Sequence, residues 1–270
     1  MPGLLHPCDG AGWPGNGNGQ GPLAEEALLD KSPQALTAAV AAVAVRSGRR
    51  AERGVVYVYE APVRLWHWIN AAAILVLGLS GYFIGSAIPT MPGEASDNFL
   101  FGYIRFAHFF AGYVLTLGFL LRIYWAFMGN PHAKQIFYVP LWRKSYWREV
   151  WHEIRWYAFV AAEPKKYVAH NPLAQLAMFF MFTLAIAFMI ITGFALYAQG
   201  TGNDSWQYKL FGWVFSIWPN SQDVHTWHHL GLWMIVTFAL IHIYTAVRED
   251  IVSRQSIVSS IISGEREFRD

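Results

Sequence analysis

The sequence predicts an all-α integral membrane protein built as a four-helix bundle. Three observations predict it. Four apolar stretches are each long enough to cross a bilayer, charged residues make up only 14% of the chain against roughly 25% in soluble domains, and Lys and Arg are unevenly shared among the connecting segments. Aromatic residues reach 17%, with 13 Trp, the ring type that favours membrane–water interfaces. A net charge of +2 is too small to argue for a nucleic-acid partner.

Residues 1–54 read as a disordered cytoplasmic tail. Its 10–22 stretch is Gly/Asn/Pro-rich and of low complexity. The apolar run 35–45 is about half the roughly 20 residues that a span needs. No basic start precedes it and no small-residue cleavage pattern follows, so it is not read as a signal peptide. Arg49-Arg50 is followed by Ala-Glu-Arg-Gly rather than an apolar run, which argues against a twin-arginine signal. Residues 55–250 form the expected membrane domain, and 251–270 a cytoplasmic C-terminal tail.

The expected spans are 65–84, 104–127, 173–197 and 226–247. In lipid every backbone N–H and C=O must be satisfied within its own segment, so each is read as a helix. Lys and Arg number six in 1–64, seven in 128–171 and four in 248–270, but none in 86–104 and one, Lys209, in 198–225. The positive-inside rule then puts both termini in the cytoplasm. Between the second and third spans, Trp142, Tyr146, Val150, Ile154 and Ala158 recur every four residues, with Trp147 and Trp151 beside them and Arg143, Lys144, Arg148 and Arg155 on other faces. This predicts an amphipathic helix over 141–162, lying on the cytoplasmic membrane surface.

The single cysteine, Cys8, cannot form an intrachain disulfide or hold an iron–sulfur cluster, and no C-x-x-C-H offers covalent haem attachment. Metal chemistry therefore falls to histidine. Histidine inside a membrane helix is costly and usually functional, and four lie in spans: His67, His108, His228 and His242. His228 and His242 are 14 residues apart, which on one helix means about 40° in facing and roughly 21 Å in depth. His108 lies at the depth of His228, and His67 at the depth of His242. Two facing pairs, one near each membrane surface, suit two b haems, each held by two neutral imidazoles from different helices. His229 competes with His228 but points about 140° away from His242, while His225 sits at the helix start. Gly78, Gly81, Gly112, Gly118, Gly193 and Gly231 offer room for flat macrocycles or simply for close helix packing. Arg105, one turn before His108, is a candidate partner for a haem propionate or an interfacial anchor.

Seven runs together carry a family resemblance: YVYEAPVRLWHW (57–68), GYIRFAHF (102–109), RIYWAFMGN (122–130), HNPLAQ (170–175), FMIITGFALY (188–197), DVHTWHHLGLW (223–233) and HIYTAVRED (242–250). Over 55–264 the chain resembles the b-type cytochrome subunit of membrane-bound nickel–iron hydrogenases, a family similar in plan to the cytochrome b subunit of respiratory formate dehydrogenase. The resemblance implies a bacterial inner-membrane protein with four spans and two b haems. It implies His67 and His242 as ligands on the cytoplasmic side and His108 and His228 on the outer side. It also implies partners, the small iron–sulfur and large catalytic subunits of an outward-facing hydrogenase, and a quinone as electron acceptor. His170, Asn171 and Gln175 are candidate quinone contacts, although Asn171 before Pro172 also reads as a helix cap. Without nickel-binding cysteines the chain has no hydrogen-activating site of its own.

Three rivals remain. His225-Thr-Trp-His228-His229 reads H-x-x-H-H, as in membrane di-iron enzymes, but those need several such boxes. A proton-coupled transporter would want intramembrane carboxylates, and the four spans contain no Asp or Glu. A cytochrome subunit of another respiratory dehydrogenase, such as formate dehydrogenase, would share the spans but not the loop runs.

Overall fold

The computed structural model describes residues 55–86, 93–94, 98–163, 165, 167–252 and 256–267. The tail expected over 1–54 lies outside them. Among the described residues, four helical runs are long and apolar enough to cross a membrane: α1 (Ala61–Gly85), α2 (Leu100–Met128), the run Pro172–Thr201, and α8 (Ser221–Val252). Each contains one of the expected spans entire. At 1.5 Å per residue, even the 25 residues of α1 exceed a hydrocarbon core of roughly 30 Å. The chain is a multi-pass membrane protein. Leu65, Leu75, Leu79, Leu117, Leu120 and Leu240 are among its exposed apolar side chains, as lipid-facing surface requires.

The third run is not uniform. It begins as α4 (Pro172–Ala177), passes through a π-helical turn at Met178–Thr183 and continues as α5 (Leu184–Thr201). Such turns insert one residue into the helix and re-aim the side chains around it. Here Phe182 and Thr183 are turned inward. Thr183 Oγ1 donates to the Ile136 carbonyl at 2.9 Å, and Phe182 joins Ala73, Leu115, Phe119, Ala185, Ile186 and Ile235 in the core. All four spans contribute to that core.

At the end of the bundle that carries the described chain ends, polar contacts replace apolar ones. The Glu60 carboxylate accepts from Trp125 Nε1 and from the Asn130 backbone N–H, both at 3.0 Å. Asn130 Nδ2 in turn donates to the Val58 carbonyl at 2.9 Å. This ties the start of α1 to the end of α2. A Cβ at Gly129 would lie 2.6 Å from Trp125 Nε1 and 2.7 Å from the Glu60 carboxylate, so only glycine lets the chain pass.

The amphipathic segment forms helix α3 (Lys144–Tyr157), shorter than the expected 141–162. Its buried face is Tyr146, Val150, Glu153 and Trp156 rather than the four-residue stripe read from sequence. Four residues rotate a helix by 400°, so a strict four-residue stripe drifts about 40° per step, and Ile154 ends up exposed. Tyr146 and Val150 pack with Val139 against Leu173, Leu176 and Phe179.

The C-terminal segment, expected only as a tail, folds back. Helix α9 (Ile257–Ser263) leads into strand β2 (Glu265–Glu267), which pairs antiparallel with β1 (Val55–Tyr57). Arg266 is buried and donates to the Val168 and Ala169 carbonyls. At the other end, short helices α6 (Trp206–Phe211) and α7 (Val214–Ile217) join α5 to α8.

Glu153 gives this end a pH dependence. Only 3% exposed, its carboxyl is pushed up from 4.5 to about 7, mainly by burial and then by the nearby Glu249 and Glu149 charges, against a lowering contact from Tyr167. The folded state therefore holds a proton that the unfolded chain has released. Its contribution to stability is fully present below about 4.5 and is lost as pH rises through about 7. Thermal unfolding scans between pH 4.5 and 8 should show this decline, and Glu153→Gln should flatten it. An unchanged slope in the variant would exclude Glu153 as its source.

Candidate functional site

The four spans bring the four intramembrane histidines together in two pairs. His67 on α1 faces His242 on α8, with ring centres 6.4 Å apart and planes at 52°. His108 on α2 faces His228 on α8, with ring centres 6.5 Å apart and planes at 70°. Two imidazoles bound to one metal from opposite sides, at about 2 Å each, stand about 6 Å apart between centres. Both pairs have that separation. Among the described residues no group of three or more His, Cys, Asp or Glu could hold a bare metal ion. Each pair would supply two nitrogen donors, from different helices, to a group held between them.

The His108–His228 pair borders a cavity of about 780 Å³, within the roughly 300–1,000 Å³ usual for bound organic ligands. Glycines shape its walls. A Cβ at Gly81 would stand 3.1 Å from His108 Cε1, and one at Gly193 3.2 Å from His228 Cε1. Arg105, His225 and His229 also line the cavity, so the candidate propionate partner lies beside it. His229 is turned toward α1, where a Cβ at Gly85 would approach its ring to 3.0 Å, and its ring packs against Trp233. His225 Nδ1 lies 3.0 Å from the Ser221 carbonyl of its own helix.

The sequence reading missed two side chains here. Ser80 Oγ lies 2.9 Å from His108 Nδ1, and Thr192 Oγ1 lies 2.8 Å from His228 Nδ1. A hydroxyl residue followed by glycine inside an apolar span, Ser80-Gly81 and Thr192-Gly193, was the available signal.

Around the other pair the surroundings are aromatic. Phe238 stacks on His242 with ring centres 5.5 Å apart, and Trp68 meets His67 edge-on at 5.1 Å. Phe182 touches both Trp66 and Phe238. The Arg122 guanidinium lies between the Trp66 and Phe137 rings. Gly118 lies beside Trp66, whose ring a Cβ there would meet at an ordinary contact distance of 3.5 Å.

His170 lies just outside the membrane span. Its Nδ1 donates to Gln135 Oε1 at 3.2 Å, and its Nε2 accepts from the Tyr59 hydroxyl at 3.4 Å. Burial, with the positive charges of Arg266 and Arg122 nearby, pushes the imidazole down to about 3. Burial also raises the Tyr59 hydroxyl to about 12, so at neutral pH both groups stay uncharged. Asn171 is the N-cap of α4, its Oδ1 accepting from the Ala174 N–H at 2.6 Å. Gln175 Nε2 donates to the Gln135 and Tyr138 carbonyls. All three candidate quinone contacts therefore already have structural partners: both ring nitrogens of His170, Asn171, and the Gln175 amide nitrogen.

A family model described as prokaryotic cytochrome b561 matches residues 58–264. A protein of Bradyrhizobium diazoefficiens, described as a probable Ni/Fe-hydrogenase B-type cytochrome subunit, is 69% identical over 86% of this chain and 94% of its own. One of Cupriavidus necator with the same description is 58% identical over 84% and 92%. One of Escherichia coli K12, described as a probable Ni/Fe-hydrogenase 1 B-type cytochrome subunit, is 48% identical over 79% and 91%.

Proposed function

We propose, from the premise that the chain belongs to the prokaryotic cytochrome b561 family, that it is the di-haem membrane subunit of a nickel–iron hydrogenase and passes electrons to a quinone. The observation that carries this reading is the geometry of the two imidazole pairs, one toward each end of the bundle, each spaced for a single iron. His108 and His228 hold the outer haem, and His67 and His242 the inner one. When bound, b haem supplies a one-electron Fe(III)/Fe(II) couple held by its axial ligands. The descriptions of the close relatives support a Ni/Fe-hydrogenase as partner, and the sequence resemblance implies its small iron–sulfur and large catalytic subunits.

The uneven Lys and Arg count supports an orientation with both termini in the cytoplasm of a bacterial inner membrane. In that orientation α3 lies at the cytoplasmic interface. Its exposed Trp147, Trp151 and Ile154 meet the acyl boundary, and Lys144, Arg148 and Arg155 meet headgroups. Oxidation of hydrogen by the partner releases two protons outside and delivers two electrons. A quinone near the inner pair takes up those two electrons and two protons from the cytoplasm. His170 and the Gln175 carbonyl oxygen, near the start of the third span, are the candidate contacts for that quinone, which would displace a present His170 partner, Tyr59 or Gln135. Arg105 pairs with a propionate of the outer haem.

The test is haem stoichiometry. The purified chain or its complex should carry two b haems per polypeptide, with a b-type reduced-minus-oxidised spectrum. No haem, or two non-haem irons per chain, would overturn the reading.

A further inference from the structure

Two dipeptides in different spans stand in the same relation to the outer imidazole pair. Ser80-Gly81 on α1 seats His108, and Thr192-Gly193 on α5 seats His228. In each the hydroxyl meets the imidazole Nδ1, at 2.9 Å and 2.8 Å. Each hydroxyl also reaches back one turn, Ser80 Oγ to the Val76 carbonyl at 2.5 Å and Thr192 Oγ1 to the Phe188 carbonyl at 2.8 Å. A hydroxyl has one hydrogen to give. With that hydrogen donated to the i−4 carbonyl, its oxygen is left to accept, so Nδ1 of each imidazole carries the proton. The Nε2 of both rings is then unprotonated and able to bind a metal. The following glycine lets the ring lie against the helix, since a Cβ there would come within 3.1 Å of His108 or 3.2 Å of His228. The inner pair lacks this arrangement on at least one side. His67 Nδ1 is buried with no hydrogen-bond partner among the described residues.

We propose that Ser80 and Thr192 are positioning residues for the outer haem: they fix the ligand tautomers and strengthen both imidazoles as donors, holding the outer haem at a lower potential than the inner one. The inference rests on the reading that His108 and His228 ligate a haem. An imidazole whose N–H is hydrogen-bonded is a more basic ligand. More basic axial ligands favour Fe(III) over Fe(II) and lower the potential. An electron passing from the outer to the inner haem moves toward the negative side of an energised membrane. A lower potential at the outer haem offsets that opposition.

The experiment uses the intact hydrogenase–cytochrome complex with Ser80→Ala, Thr192→Val, Ser80→Thr and Thr192→Ser. Each sample is titrated potentiometrically at the haem α-band, with the outer haem assigned by its loss in His228→Ala. Thr192→Val should change the outer haem's oxidised-to-reduced ratio at fixed ambient potential about tenfold toward reduced, or about 59 mV upward for one electron. Ser80→Ala should shift it the same way. The inner haem should not move, and Ser80→Thr and Thr192→Ser should stay near wild type. Unchanged potentials with both haems bound, or equal shifts in both haems, would overturn the proposal. If Ala and Val variants lose the outer haem, its retention in the hydroxyl-keeping pair supports the positioning role, and its loss there too overturns it. A complex in which His108→Ala removes no haem would instead overturn the underlying ligand assignment.

Discussion

His228→Ala should remove one of the two proposed b haems, whereas His229→Ala should remove neither. The neighbours differ by about 100° in facing, and the structure gives each a different task. The His228 ring lies opposite His108 at 6.5 Å, with its Nδ1 held by Thr192 and Gly193 against its edge. The His229 ring is directed to Trp233 and the Gly85 backbone. On the proposed assignment, removing His228 would leave His108 as the one protein ligand of that haem, whereas loss of an outer-shell contact usually costs 10–100-fold in affinity. Because His229 also lines the cavity, its variant should keep two haems at stoichiometric loading and release the outer one more readily on dilution. A haem-to-protein ratio of one in His228→Ala and two in His229→Ala is the expected pair of numbers. The reverse pattern would show that the phase of α8 assigns the wrong neighbour.

The spans were legible because length and apolarity are summed properties of a segment, and bilayer thickness sets a threshold for both. All four expected segments lie inside observed helices for that reason. Pairing of the histidines was legible because 14 residues bring a straight helix back nearly to the same facing, and α8 is unbroken from Ser221 to Val252. What stayed hidden depends on contacts between distant residues. Strand β2 is three residues, Glu265–Glu267, and no pattern in so short a charged run announces a strand. It exists because β1 supplies a partner and the Val168 and Ala169 carbonyls hold Arg266. The π-helical turn is equally silent, since Met178–Thr183 is as apolar as its flanks. On α3 the buried stripe includes Glu153, a residue that any polarity pattern assigns to solvent. Asn171 and Pro172 were readable as a helix start, since capping is local chemistry. The partners of Gln175 were not readable, because they come from residues nearly 40 positions away.

Arg248→Ala should cost roughly 3–5 kcal/mol, the range for removing one partner of a buried pair. Sequence marks Arg248 only as a positive charge after the fourth span, but the structure makes it the clasp between α8 and α3. It is 8% exposed, and its guanidinium faces the rings of Trp156, Tyr157 and Phe159 at 4.9–5.0 Å. It also donates to the Trp156 carbonyl at 3.3 Å and to Glu249 at 2.9 Å, while Trp156 Nε1 donates to the same Glu249 oxygen at 2.8 Å. A planar group with several donors serves all of these contacts at once. Lysine, a compact ammonium on a flexible stem, does not, so Arg248→Lys should recover little. Arg248→Met combined with Glu249→Gln should recover more than either Arg248 single variant, because it removes both buried charges together. Lys165 and Glu149 provide the control. They form a comparable contact at 2.8 Å but with side chains 44% and 38% exposed, and Lys165→Ala should cost about 1 kcal/mol or less. Thermal and denaturant unfolding of the purified protein in detergent would compare all four variants. Equal losses for Arg248→Ala and Lys165→Ala would mean that burial does not set the strength of these ion pairs. A loss confined to Arg248→Ala would locate the stability of this end of the bundle in the contact between α3 and the last turns of α8.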